Sequence, residues 1–253
     1  MSATEEKRTK LAEIAALYPP ELIARQISDV PRVAHHLELV ERFAPPGGVV
    51  CDIGGGIGLF SPGIGALGYR SILVDDFRDA VNRSFGDAAF SAQRRYGVEV
   101  VSRDVIAEPV EFPAESLDVV TSFDCLEHFH HSPRRLLRAL KKALKPGGVM
   151  ILSVPNCCNL RKRFSMVAGK YYWSPIGDWY ESDMFRAHVR EPNVSDLRYI
   201  CRDLELRILE IDGRNWLGLE SKSAWKRLAA AALDRALRLK PSLCSNLYCI
   251  ATF

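Results

Sequence analysis

The stretch Val49-Val50-Cys51-Asp52-Ile53-Gly54-Gly55-Gly56-Ile57-Gly58-Leu59-Phe60 decides the fold. Its first residues form a short β-rich run. The glycines that follow permit a tight turn and let a ligand approach the backbone closely. A helical run then begins at Leu59. The dinucleotide pattern Gly-x-Gly-x-x-Gly does not fit, because the sixth position from Gly54 is Leu59 and from Gly56 is Ser61. What fits is Asp-x-Gly-x-Gly-x-Gly. An acid ahead of the turn repels a pyrophosphate and suits a ligand with a cationic amine.

Outward from this loop, short β-rich runs alternate with helical ones. They are SILVD (71–75), a helical 78–95, EVVSRD (99–104), LDVVTSF (117–123), a helix over 133–144 and VMILSVPN (149–156). Such alternation predicts βαβ units and a parallel sheet. Two more acids close strands. Asp75 lies 23 residues after Asp52 and suits a ribose diol, since a carboxylate accepts two hydroxyl hydrogens. Asp104 closes the next strand and suits an adenine amino group. Ligands of open α/β sheets bind beyond the carboxyl ends of strands, where all three acids converge.

The flanks read differently. Residues 1–46 form a helical N-terminal extension, broken at Pro19-Pro20. Residues 157–192 are aromatic and basic, and read as a cap insertion that holds an acceptor. A helix near 194–203 and a strand near 205–212 follow. Residues 217–242 are a helical insertion before a last strand, LYCIATF. Its helix carries Trp225, Leu228, Ala229, Ala232, Leu233, Ala236 and Leu237 on one side.

With ~150 residues per domain, 253 residues predict a single domain with additions. Hydrophobic residues are 47% and charged residues 26%, which excludes a disordered chain. A net charge of +3 is too small to argue for a nucleic-acid coat or a membrane-surface protein. Seven cysteines without a Cys-x-x-Cys argue against a disulfide framework or structural zinc, and point to a reducing cytoplasm. No apolar run reaches the ~20 residues needed to span a bilayer.

The remaining chemistry lies in Asp124-Cys125-Leu126-Glu127-His128-Phe129-His130-His131, just past a strand end. His128 is the candidate catalytic base, because imidazole titrates near neutrality. Alternatively, Asp124, Glu127 and His128, joined by His188 from HVRE, form a metal site of oxygen and nitrogen ligands. Such a site would take Mg²⁺ or another divalent metal.

Together DIGGGIG, the Asp75 strand end, Asp104-Val105, LDVVTSFDCLEH and LKPGGVMILSVPN resemble class I S-adenosylmethionine (SAM) methyltransferases. The resemblance covers roughly residues 47–156 and 188–253. It implies an α/β Rossmann-like fold, a seven-stranded mixed sheet with helices on both faces and a reversed last strand. SAM is the implied cofactor. Asp52, Gly54 and Gly56 would lie against its methionine part, Asp75 would take the ribose, and Asp104 with Val105 the adenine. Asp124 would complete the cofactor site. The metal constellation is similar to the Glu-x-x-Glu-His pattern of small-RNA 2′-O-methyltransferases and to metal-assisted O-methyltransferases of ubiquinone biosynthesis, with Asp in place of the first Glu.

The expectation is therefore a SAM-dependent O-methyltransferase, monomeric or homodimeric, acting on a hydroxyl of a small molecule. A sugar or glycan precursor is the favoured acceptor. The alternatives are a phenolic or quinone metabolite, and RNA 2′-O-methylation, which the near-neutral charge disfavours.

Overall fold

The computed structural model describes residues 2–78, 84–108, 110–170, 174–181, 185, 187–216 and 223–253, apart from the side chains of 224, 226 and 227. Part of the expected 78–95 helix, the aromatics Tyr171, Tyr172 and Trp173, and the start of the 217–242 insertion lie outside the described residues.

The helices are α1 (Ala3–Ala15), α2 (Pro20–Phe43), α3 (Phe60–Ala66), α4 (Ser91–Arg95), α5 (Arg134–Ala143), α6 (Leu160–Val167), α7 (Ile176–Tyr180), α8 (Val194–Asp203) and α9 (Ala224–Arg238). The strands are β1 (Val49–Ile53), β2 (Arg70–Asp75), β3 (Glu99–Ser102), β4 (Leu117–Phe123), β5 (Leu144–Pro155), β6 (Arg207–Arg214) and β7 (Asn246–Thr252). They form one seven-stranded sheet in the order β3-β2-β1-β4-β5-β7-β6. Strand β1 pairs in parallel with β2 and with β4, and β2 with β3. The last strand is reversed: β7 runs antiparallel to β6, with Arg207 opposite Thr252 and Arg214 opposite Asn246. The chain order switches direction between β1 and β4, which is where ligands of such sheets bind.

The chain divides into two compact units. The first comprises residues 1–122 and 135–150. Leu11, Ile14 and Ala15 of α1 are fully buried, as are Leu73 and Val74 of β2. Gly63 of α3 matters here: a Cβ in its place would meet Leu11 at 3.1 Å and Leu37 at 3.2 Å. The two N-terminal helices therefore pack tightly on α3. The amphipathic α5 buries Leu136, Leu137 and Leu140 and leaves its cations outside. Strand β5 starts at Leu144, five residues earlier than expected. The strand runs through Pro146-Gly147-Gly148, where Gly147 departs from extended geometry at φ +77°.

The second unit comprises residues 123–134 and 151–253. Its core is β7, where Leu247, Tyr248, Cys249 and Ile250 are fully buried. Helix α8 buries Leu197 and Cys201 and opens with a capping box between Asn193 and Asp196. Helix α9 is amphipathic. Its apolar side is the exposed one, with Trp225, Leu228 and Leu233 each more than half accessible. No described helix is long and apolar enough to cross a membrane.

Candidate functional site

In the first unit, the glycine loop is built around Asp52. This carboxylate is 2% exposed and accepts hydrogen bonds from the Thr121 hydroxyl at 2.8 Å and the Ser61 hydroxyl at 3.0 Å. Burial pushes its pKa up to about 7, against the pull of those two donors. A Cβ on Gly55 would sit 2.0 Å from Asp52 Oδ2, so only glycine lets the loop wrap the acid. Asp52 thus shapes the loop from beneath. Gly54 and Gly56 have φ +74° and +55°, and the space above Gly56 is open. A loop with an open upper face and an acidic underside fits a small cationic ligand laid across its backbone.

Asp75 closes the same turn. Its Oδ2 accepts from the Gly56 N–H at 3.0 Å and its Oδ1 from the Phe77 N–H at 2.7 Å. Asp104 holds its own turn, accepting from the N–H groups of Ile106 and Ala107, and lies 3.4 Å from Arg78. Val105 follows it in that turn.

Residues that the sequence does not link to this loop hold its far end. The Tyr18 hydroxyl donates to the Gly58 carbonyl at 3.0 Å, and Gln26 donates to the Ile57 carbonyl at 3.1 Å. Buried Gln93 donates to the Tyr18 hydroxyl at 3.1 Å. The N-terminal helices are therefore part of the loop's support. The signal was present only as polar residues on otherwise apolar helix faces.

The second unit gathers Glu127, His128 and His188. One ligand atom from each lies within 4.8 Å of the others. A short 3-10 turn, Leu126–His128, presents the first two. The Glu127 carbonyl accepts from the Val189 and Arg190 N–H groups at 2.7 and 3.2 Å, which brings in the third. Glu127 is 1% exposed, and among the described residues neither carboxylate oxygen has a side-chain hydrogen-bond partner. Burial, then the nearby charge of Asp124, push its pKa up to about 8. Both imidazole Nε2 atoms stand 3.9 Å from Glu127 Oε1, and the rings meet edge-on with centroids 4.9 Å apart. A buried acceptor without a side-chain donor, faced by two imidazoles, fits a cation.

Three of the four expected metal ligands are therefore brought together. Asp124 is not. It stands at φ +49° and accepts from the Ser153 hydroxyl at 3.0 Å and from Asn246 at 3.4 Å. A residue not singled out for this site completes the surroundings. Glu191 Oε1 lies 2.8 Å from His188 Nδ1, and Glu191 is bridged to Lys162. Burial raises the Glu191 pKa, but the bonds to His188 and Lys162 prevail and hold it below the ordinary carboxylate value. The Glu191 hydrogen bond raises that of His188. The His-x-x-Glu spacing was the available signal. Arg190 pairs with Asp196, at 3.6 Å.

Beside Val189 lies a cleft of about 430 Å³, lined by His130, Ser174, Ile176, Trp179, Phe185 and Val189. His130 Nε2 is 2.9 Å from the Phe185 carbonyl. The lining is mostly apolar and aromatic.

Comparison with known proteins gives a consistent result. Residues 25–211 match a family described as "Methyltransferase domain". A ubiquinone biosynthesis O-methyltransferase of Hahella chejuensis is 32% identical over 136 residues, covering 52% of this chain and 53% of that relative. One from Xanthomonas campestris is 29% identical over 199 residues, covering 75% and 78%. A SAM-dependent methyltransferase of Mesorhizobium loti shares the fold with a TM-score of 0.57 and 17% identity, covering 89% of this chain and 98% of its own.

Proposed function

This chain belongs to the methyltransferase-domain family and uses SAM as its methyl donor, and we propose that it methylates a hydroxyl of a small apolar aromatic molecule, a phenol or quinol, with help from a divalent cation. The observation that carries this reading is the buried Glu127 carboxylate without a side-chain hydrogen-bond partner among the described residues, flanked by His128 and His188. The names of the ubiquinone-pathway relatives agree with it.

Bound SAM supplies a methyl group on a sulfonium, ready for in-line displacement. The open face of the Gly54–Gly58 turn would receive it, with Asp75 accepting from the ribose hydroxyls and Asp104 and Val105 bordering the base. Asp52 keeps the turn in shape. A cation held by Glu127, His128 and His188 would lower the pKa of the acceptor hydroxyl. Glu191 orients His188 so that its Nε2 faces the ligand position, and Lys162 holds Glu191. The oxygen–methyl bond would form as the sulfonium–methyl bond breaks; beside the cation the acidified hydroxyl would give its proton to solvent, and His128 would take that proton only where its Nε2 holds no cation.

Two imidazoles and one carboxylate, without Asp124, favour first-row transition ions over Mg²⁺. The apolar cleft of Ile176, Trp179, Phe185 and Val189 suits an aromatic acceptor and offers few partners for the many hydroxyls of a sugar. This moves the preferred acceptor from a sugar to a phenol or quinol.

The test is turnover of a catechol-type acceptor after chelation. EDTA should abolish it, and Mn²⁺ or Co²⁺ should restore it. His188→Ala should damage turnover as severely as His128→Ala while leaving SAM affinity unchanged. Activity untouched by EDTA and by His188→Ala would leave His128 as a metal-free base.

A further inference from the structure

Helix α9 docks with its polar side. Asp234 accepts from the Asn215 N–H at 3.0 Å and from its side-chain amide at 2.9 Å. Arg238 reaches Asp212 at 3.7 Å. These contacts hold the helix against β6 and the loop after it. The opposite side carries Trp225, Leu228, Ala229, Leu233, Ala236 and Leu239 at spacings of three and four residues, all exposed. Trp225 is 68%, Leu228 73% and Leu239 88% accessible. A helix normally turns such a stripe inward.

Charge indicates the occupant. Residues 223–240 contain five cations against the single acid Asp234, and Asp234 faces inward. Arg235 and Lys240 are exposed beside the stripe. A second copy of this face would set like charges against one another. An anionic bilayer surface would accept both the apolar stripe and its cationic border, the pattern of a helix lying in the membrane interface. Helix α6 has the same character. Phe164, Met166 and Val167 are exposed on it, and Arg163 donates to the Ser242 carbonyl just past α9.

From these contacts we infer that α9 docks the protein reversibly on anionic lipid membranes. This inference stands apart from the proposed acceptor and cation.

The experiment is co-sedimentation of the full chain with vesicles of phosphatidylcholine, with and without phosphatidylglycerol. The chain should partition onto the anionic vesicles and be released by high salt. Leu228→Glu with Leu233→Glu should weaken partition about tenfold or more, since two apolar anchors become repelled charges. Arg235→Glu should weaken it several-fold. The altered positions face solvent, so melting curves should match the wild type. Absence of partition onto anionic vesicles would overturn the inference, as would partition unchanged in a folded double variant. A concentration-dependent dimer that the double variant abolishes, without vesicle binding, would assign the stripe to self-association instead. If the double variant does not fold, dependence of wild-type binding on anionic lipid and salt still decides the matter.

Discussion

Glu127 and His188 are 61 positions apart in the chain, yet Oε1 of one and Nε2 of the other lie 3.9 Å apart. The tether is backbone: the Glu127 carbonyl takes the N–H groups of Val189 and Arg190. Any side chain at 188 is therefore delivered beside Glu127, and imidazole makes the delivery useful. The same arrangement ties the site to the cleft, since Val189 belongs to both.

The orientation of His188 depends on Glu191. Glu191→Gln should preserve the fold and lower cation affinity by about 10–100-fold, the usual cost of losing an outer carboxylate partner. Mn²⁺ titration by calorimetry would measure this. Unchanged affinity would mean that Glu191 serves only its bridge to Lys162.

Asp75 should govern the cofactor. Asp75→Ala removes the proposed acceptor for the ribose and also frees the Gly56 and Phe77 N–H groups. SAM affinity should fall by ~1.5–3 kcal/mol, as charge-assisted hydrogen bonds imply. Isothermal calorimetry with SAM would detect a loss of this size, and equal affinities would refute the assignment.

Tyr18 should matter although it lies in the N-terminal helical region. Tyr18→Phe deletes the bond to the Gly58 carbonyl and the acceptor for Gln93. A loss of ~1–2 kcal/mol of stability is expected in urea melts. SAM binding should weaken several-fold, because the loop's far end loses its support.

Asp52 should make stability pH-dependent. Its folded pKa of about 7 lies above the ordinary 3.8, so the folded state favours the protonated acid. The stabilisation is full below pH ~3.8 and is lost as pH rises through about 7. A shift of that size corresponds to on the order of 4 kcal/mol. Asp52→Asn should flatten this part of the profile while keeping contacts to Thr121 and Ser61. Parallel denaturation curves for the two proteins at pH 5 and pH 8, roughly the flanks of that window, would show the difference or its absence.

The loop from Val49 to Phe60 was legible because its constraints are local. Strand, glycine turn and helix follow in sequence, and Gly54 and Gly56 take a positive φ, which glycine adopts without strain in a tight turn. The strands and the 133–144 helix were legible for the same reason, since burial on one face imposes a period on neighbouring residues. The trio of Glu127, His128 and His188 was named from residue type, but nothing local in the sequence distinguishes Asp124 from a fourth ligand. Only the folded chain turns its carboxylate to Ser153 and Asn246. Glu191, Tyr18 and Gln26 act through contacts with residues far along the chain, which periodicity does not record. Helix α9 makes the point most directly. Its sequence fixes an apolar stripe and a polar side, but which side meets the protein depended on Asn215 and Asp212 arriving to bind Asp234 and Arg238. Sequence sets the pattern on each element, while tertiary structure decides what each pattern faces, because burial is a property of the neighbours an element acquires.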